Sequence, residues 1–136
     1  NVEEKKTFVR IEGESDYYLD PFGSKFPISK SFLPDVPVFE GELKYNLKTN
    51  LLRLIKILHR DPFFKKELHK IYYNSNSFFI ELNSYKFKIE IGSINYIEDK
   101  IIRLKVFCAY YNKNLEELEK KYSLINLKFK NQIVGS

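Results

Sequence analysis

The residues best suited to chemistry are few, and their spacing does not suit it. The two histidines, His59 and His69, are ten positions apart, and no cysteine stands beside either. That matches no metal-ligand spacing, since zinc sites draw on closely spaced Cys and His pairs. Cys108 is the single cysteine, so neither an internal disulfide nor a cysteine metal cluster can form. It lies in the apolar helical run IIRLKVFCAYY, where a small buried residue is expected rather than an exposed, activated thiolate. Carboxylates are scattered. Asp16 and Asp20 flank one strand, and Glu116, Glu117 and Glu119 sit early in a predicted helix, where they suit the positive end of its dipole. Such carboxylates are a weak signal for acid–base work. Gly13, Gly23, Gly41 and Gly92 stand alone at turns or strand ends, so no glycine-rich loop cradles a phosphate. The expectation is a chain with no metal, no cofactor and no catalysis.

The elements carrying these residues read as α+β. Thr7–Ile11 alternates apolar and polar residues and predicts a strand. Asp16–Asp20 and Lys25–Ile28 flank Pro21-Phe22-Gly23-Ser24, which is hairpin-turn chemistry. Pro27, Pro34 and Pro37 keep the next stretch extended, and Val36–Glu40 predicts a short edge strand. Leu51, Leu54, Ile55 and Leu58 set a helix over Lys48–Arg60, with Thr49 or Asn50 as N-cap. Asp61-Pro62 ends it and starts a new turn, anchored by Phe63-Phe64. Three strands follow, over Ile71–Asn74, Phe78–Leu82 and the strictly alternating Tyr85–Ile91. A second main helix runs from Asn95 to about Tyr111, with a further helical turn over Leu115–Lys121. Leu124–Val134 alternates again. The predicted fold is a mostly antiparallel, curved sheet with two main helices packed on one face.

Composition supports one folded domain. Of the 136 residues, 43% are hydrophobic and 16% aromatic, too many for wholesale disorder. The net charge of +5 comes from lysines that look scattered along the chain, without a block of like charge. It is compatible with nucleic acid, an anionic lipid surface or an acidic partner. Tyr85, Phe87 and Tyr72-Tyr73 beside lysines offer a stacking platform for single-stranded nucleic acid, as one alternative. Core packing is the other, since aromatics suit strands. The chain has no methionine, which implies a start inside a longer protein, and no apolar run long enough to span a membrane.

Four stretches in order resemble the extracytoplasmic β domain of the FtsQ/DivIB cell-division family. In VRIEGESDYYLDPFGSKFPIS (Val9–Ser29), Tyr18, Asp20, Gly23 and Pro27 stand in the family's Y-x-D-x-x-G-x-x-x-P hairpin pattern. LPDVPVFEG (Leu33–Gly41) is similar to the segment after that hairpin. Phe63–Gly92 resembles the family's strand triplet, and Glu98–Phe107 with Tyr122–Val134 resembles its closing helix and strand pair. The resemblance implies that residues 1–6 are the tail of a preceding POTRA domain, residues 7–134 are the β domain, and 135–136 are terminal residues that could be a remnant of cloning. It implies a single-pass inner-membrane protein with this domain on the periplasmic side at the division septum. It also implies complexes with FtsB/DivIC-type and FtsL-type proteins, with no nucleic acid, cofactor or catalysis. A generic envelope adaptor is the reading outside the family.

The resemblance further implies that the partner adds a strand near the C-terminal end of the sheet. The expected partner-binding residues are Ile125, Leu127, Lys128, Phe129, Lys130, Asn131, Gln132 and Val134. Lys128 and Lys130 would meet acidic partner residues. Phe129 would be an aromatic anchor. Equal parity places Ile125, Leu127 and Phe129 on one face, which is either the partner's or the core's. The proline-stiffened loop Ser29–Asp35 is either a second docking surface or a rigid connector.

Overall fold

The computed structural model describes residues 7–112, 121–128 and 133–136. Among these residues nine strands and three helices follow in the order β1 (Val9–Glu12), β2 (Asp16–Leu19), β3 (Lys25–Pro27), β4 (Val38–Glu40), α1 (Tyr45–His59), α2 (Pro62–Glu67), β5 (Leu68–Asn74), β6 (Ser77–Leu82), β7 (Lys88–Gly92), α3 (Ile97–Tyr111), β8 (Leu124–Asn126) and β9 (Val134–Gly135). They build one sheet in the order β3-β2-β1-β4-β5-β6-β7-β8-β9. Most pairings are antiparallel, as expected, but β1–β4, β4–β5 and β7–β8 are parallel. Parallel neighbours need a crossover, and α1 with α2 and then α3 supply two of them.

The parallel pairs correct two expectations. The segment ending at Glu40 is no edge strand: β4 lies between β1 and β5, in the interior of the sheet. Pro37 is accommodated because it precedes the strand, and its carbonyl accepts from the Arg10 N–H at 3.0 Å. The alternation Tyr85–Ile91 overstates β7, which begins only at Lys88. Tyr85 and Phe87 keep their inward parity, but in a bent entry segment where the rings have nine-tenths or more of their surface covered.

Local chemistry explains the turns. The Asp20 carboxylate accepts from the Phe22 and Ser24 N–H groups, each at 2.8 Å, and the Asp20 carbonyl accepts from Gly23 N–H at 3.0 Å. Gly23 has φ +88°, which a residue with a Cβ adopts only under strain. The Asp20 and Gly23 positions of the hairpin pattern are thus turn requirements. α1 starts five or six residues earlier than Thr49 or Asn50 would allow, with Lys44 as its N-cap and no side-chain cap. α2 is properly capped: Asp61 accepts from Phe63 N–H at 2.9 Å, and Pro62 takes the first helical position. α3 is entered through Tyr96 at φ 57°, with Glu98 and Asp99 in its first turn.

One core joins Val9, Ile11, Phe39, Ile71, Ile80, Ile89 and Ile125 of the sheet to Leu51, Leu54, Ile55 and Leu58 of α1, Phe64 of α2, and Ile101, Leu104, Cys108 and Tyr111 of α3. Arg60 of the α1 C-cap pairs with Glu98 of α3 at 3.2 Å, and Lys105 with Asp61 at 2.5 Å. Cys108 is buried as expected, and burial pushes its thiol up to about 12. The folded chain therefore keeps this proton while the unfolded chain loses it from the ordinary 9.0. Stability contributed here is present below pH 9 and falls as pH rises towards 12. We expect Cys108 to resist a thiol reagent at pH 8 until denaturant is added; rapid labelling of the folded protein would place the thiol at the surface.

Candidate functional site

The expected site is the C-terminal end of the sheet, where the structure divides the expected residues sharply. Leu124–Val134 is not one strand. β8 ends at Asn126, and the chain returns as β9, antiparallel to it, with Ile125 opposite Gly135 and Asn126 opposite Val134. β8 is thus covered on both sides, by β7 and β9, and β9 is the edge. Ile125 and Leu127 are completely buried, so of the two faces their shared parity allowed, theirs is the core's. Their side chains are closed to any partner. Phe129, Lys130, Asn131 and Gln132 lie outside the described residues. Glu116, Glu117 and Glu119 do so too.

Lys128 is exposed but engaged. Its ammonium lies 3.4 Å from the Glu90 carboxylate, and its backbone N–H donates to the Asn126 side-chain oxygen at 2.8 Å. An acidic partner would have to compete with Glu90 for it. Leu127 N–H donates to the Glu90 carbonyl at 2.8 Å, which continues the β7–β8 ladder past the end of β8. At Gly92, φ is +79° and the Lys128 side chain lies where a Cβ would project. Gly92 therefore closes β7 and makes room for the strand beside it.

The backbone of β9 defines what the edge offers. Ser136 and Leu124 exchange hydrogen bonds, N–H to carbonyl, at 2.9 and 3.0 Å. In an antiparallel ladder such pairs alternate with pairs whose backbone groups turn the other way. Gly135, opposite Ile125, and Ile133 before it therefore turn their N–H and C=O groups away from β8, toward the open edge. The Val134 side chain, 45% exposed, lies over Asn126 on the strand face turned from the core. Gly135 is required by packing: a Cβ there would come within 2.5 Å of the Tyr122 ring. Nothing in the sequence around Gly135 assigns it a role; the signal was Tyr122, thirteen positions earlier. Gly135→Val should detach β9 from β8 while sparing the core, seen as faster amide exchange at Leu124 and Ser136 with the Ile89 amide still protected. Unchanged exchange at Leu124 would mean that Tyr122 simply moves aside.

The matching comparison covers residues 7–136, over which the chain fits the family model described as FtsQ/DivIB, C-terminal related. The chain belongs to the FtsQ/DivIB C-terminal related family. This FtsQ/DivIB-type domain thus has a cell-division role, in a family of non-enzymatic proteins anchored in the membrane at the division septum. No curated protein matches it. Among the described residues of the FtsQ/DivIB-type domain, no helix is long and apolar enough to cross a membrane, and no three His, Cys, Asp or Glu side chains gather to hold a metal.

The other expected surfaces fare unevenly. The aromatic platform for nucleic acid does not assemble: Tyr85 and Phe87 are buried, and Tyr73 packs edge-on against core Phe78 at 4.9 Å. Tyr72 points the other way and stacks flat on Phe79 at 5.0 Å. In the Ser29–Asp35 loop, Phe32 packs on the buried Tyr18 ring at 6.3 Å, which ties the connector down, while Leu33 is exposed. His59 is half-buried against Phe8, ring to ring at 5.3 Å, and its imidazole is held below the usual range by burial and then by Lys65. His69 is exposed on β5.

Proposed function

We propose that this domain is a non-catalytic divisome scaffold that holds FtsB/DivIC-type and FtsL-type proteins at the septum, on the periplasmic side of the inner membrane, by accepting an added strand along β9. The observation that carries this reading is the free edge: β9 is the last strand of the sheet, and its Ile133 and Gly135 backbone groups turn outward. An extended peptide satisfies such groups and gains affinity from the main chain, while alternate side chains give specificity. Family membership supplies the division context. In this reading α1 and α3 share one face of the sheet, as right-handed crossovers between strands of the same direction would. That leaves the β9 edge uncovered. Val134 is then the described side chain best placed to touch the partner, and Phe129, Lys130, Asn131 and Gln132 would complete the surface.

Calorimetric titration with the extracytoplasmic part of the FtsB/DivIC-type protein from the same genome, alone and with the FtsL-type protein, tests this. Saturable one-to-one binding that Val134→Glu weakens, in a protein with unchanged circular dichroism, is expected. Binding indifferent to Val134→Glu would move the contact off this edge, and no binding would favour a different envelope adaptor role.

A further inference from the structure

The net charge of the chain is concentrated in the fold. Residues 44–67, which span α1 and α2, hold seven basic and two acidic side chains, and so carry an excess equal to the whole chain's +5. α1 itself contains no Asp or Glu over its fifteen residues. The lysines looked scattered in sequence because α1 spaces its basic residues three to five apart. The helix returns Arg53, Lys56 and Arg60 to one outward stripe, since residues three and four apart share a face.

That stripe is one wall of a groove of about 450 Å³. The other wall is the β2–β3 hairpin tip, Pro21 and Phe22, and the apolar floor includes Leu52 and Ile57. Phe22 is 91% exposed, yet it does not sit on a loose loop. The Asp20 carboxylate and carbonyl hold the turn, and Gly23 lies so close to the Lys48 stem that a Cβ would come within 2.7 Å of it. Burying that ring would remove apolar surface from water, and the held turn presents it at a set place beside the groove. Among the described residues lining the groove the one carboxylate is Glu98, already paired with Arg60 at 3.2 Å, while no ion pair engages Arg53 or Lys56.

We propose that this groove is a second docking site, for an acidic peptide segment of a partner protein that places an apolar side chain against Phe22 and its carboxylates against Arg53 and Lys56. A concave site with an apolar floor and a mostly basic rim fits a side chain on a peptide better than a flat lipid surface. The site involves different elements from the β9 edge, and either can be absent without the other.

The test is fluorescence anisotropy of the whole domain with a labelled peptide of Glu-Glu-Leu-Phe repeats, beside a peptide in which Leu and Phe become Ser. Vesicles of phosphatidylglycerol in phosphatidylcholine form a parallel arm. The first peptide should saturate, at an affinity that falls with added salt. Arg53→Glu and Lys56→Glu should each weaken it about tenfold, and Phe22→Ser at least threefold, with circular dichroism and thermal midpoint unchanged because all three side chains are exposed. Val134→Glu should leave it unaltered. Equal binding of both peptides with no effect of Phe22→Ser would reduce the site to diffuse charge attraction and overturn the proposal. So would vesicle binding without peptide binding, or no binding at all.

Discussion

Phe87→Ala should destabilise the domain by about 3–5 kcal/mol, the range for truncating a fully buried phenylalanine. Phe87 is the hub of an aromatic cluster: its ring lies 4.8 Å from Tyr111, 5.3 Å from Tyr85 and 5.8 Å from Phe107. Edge-to-face pairs of this kind add about 0.5–1.5 kcal/mol beyond burial. The cluster also carries a polar contact that ties the end of α3 to the segment entering β7. Tyr85 Oη donates to the Asn112 side-chain oxygen at 2.7 Å, at the C-cap of α3. Removing Phe87 therefore leaves a cavity at the junction of β7 and α3, and loosens the hydrogen bond beside it. Against a total stability of about 5–15 kcal/mol for a natural domain, the loss is large. Urea unfolding should show a lower midpoint with an unchanged slope. Phe107→Ala, at a partly buried ring on the rim of the same cluster, should cost clearly less. Equal costs for the two would mean that the cluster has no centre, and a loss under 1 kcal/mol at Phe87 would mean that the site collapses to fill the gap.

That cluster illustrates what the sequence made legible. Parity and periodicity identified Leu51, Leu54, Ile55, Leu58 and Cys108 as inward, and put Tyr85 and Phe87 on one face that burial assigns to the core rather than to a platform. Burial depends on spacing, and spacing is written in the chain. Pairing is not. That β4 enters between β1 and β5 depends on crossovers that bring distant segments together, and nothing in Val38–Glu40 distinguishes an interior strand from an edge one. The break within Leu124–Val134 was hidden for a related reason. Ile125 and Leu127 keep strand parity on both sides of the point where β8 ends, so alternation continued past the strand itself. Charge behaved in the opposite way. The basic residues of α1 are dispersed in sequence, and only the helical turn gathers Arg53, Lys56 and Arg60.

Ile133→Pro should abolish most strand addition at β9 while sparing the fold, and the geometry of the edge gives the reason. Proline removes a backbone donor and fixes φ near −65°, which ends pairing wherever that donor is used. The Ser136–Leu124 exchange fixes the alternation of β9, so the Ile133 N–H faces outward and no ladder bond among the described residues depends on it. Proline is tolerated on edge strands for the same reason. A partner strand, by contrast, would find its carbonyl facing a proline ring. It would lose one hydrogen bond, worth about 0.5–1.5 kcal/mol, and bury an unsatisfied acceptor at a further cost of about 1–3 kcal/mol. Each 1.4 kcal/mol is a factor of ten in affinity, so the proposed FtsB/DivIC-type partner should bind at least tenfold more weakly. Ile133→Val keeps the donor and the apolar surface, and should bind as the natural chain does. The thermal midpoint of both variants should stay within a few degrees, since Ile125 and Leu127 hold β8 in the core whatever β9 does. A proline variant that binds undiminished would exclude backbone pairing at this edge. An equal loss of binding in Ile133→Val, which keeps the donor, would instead make the contact a matter of side-chain shape.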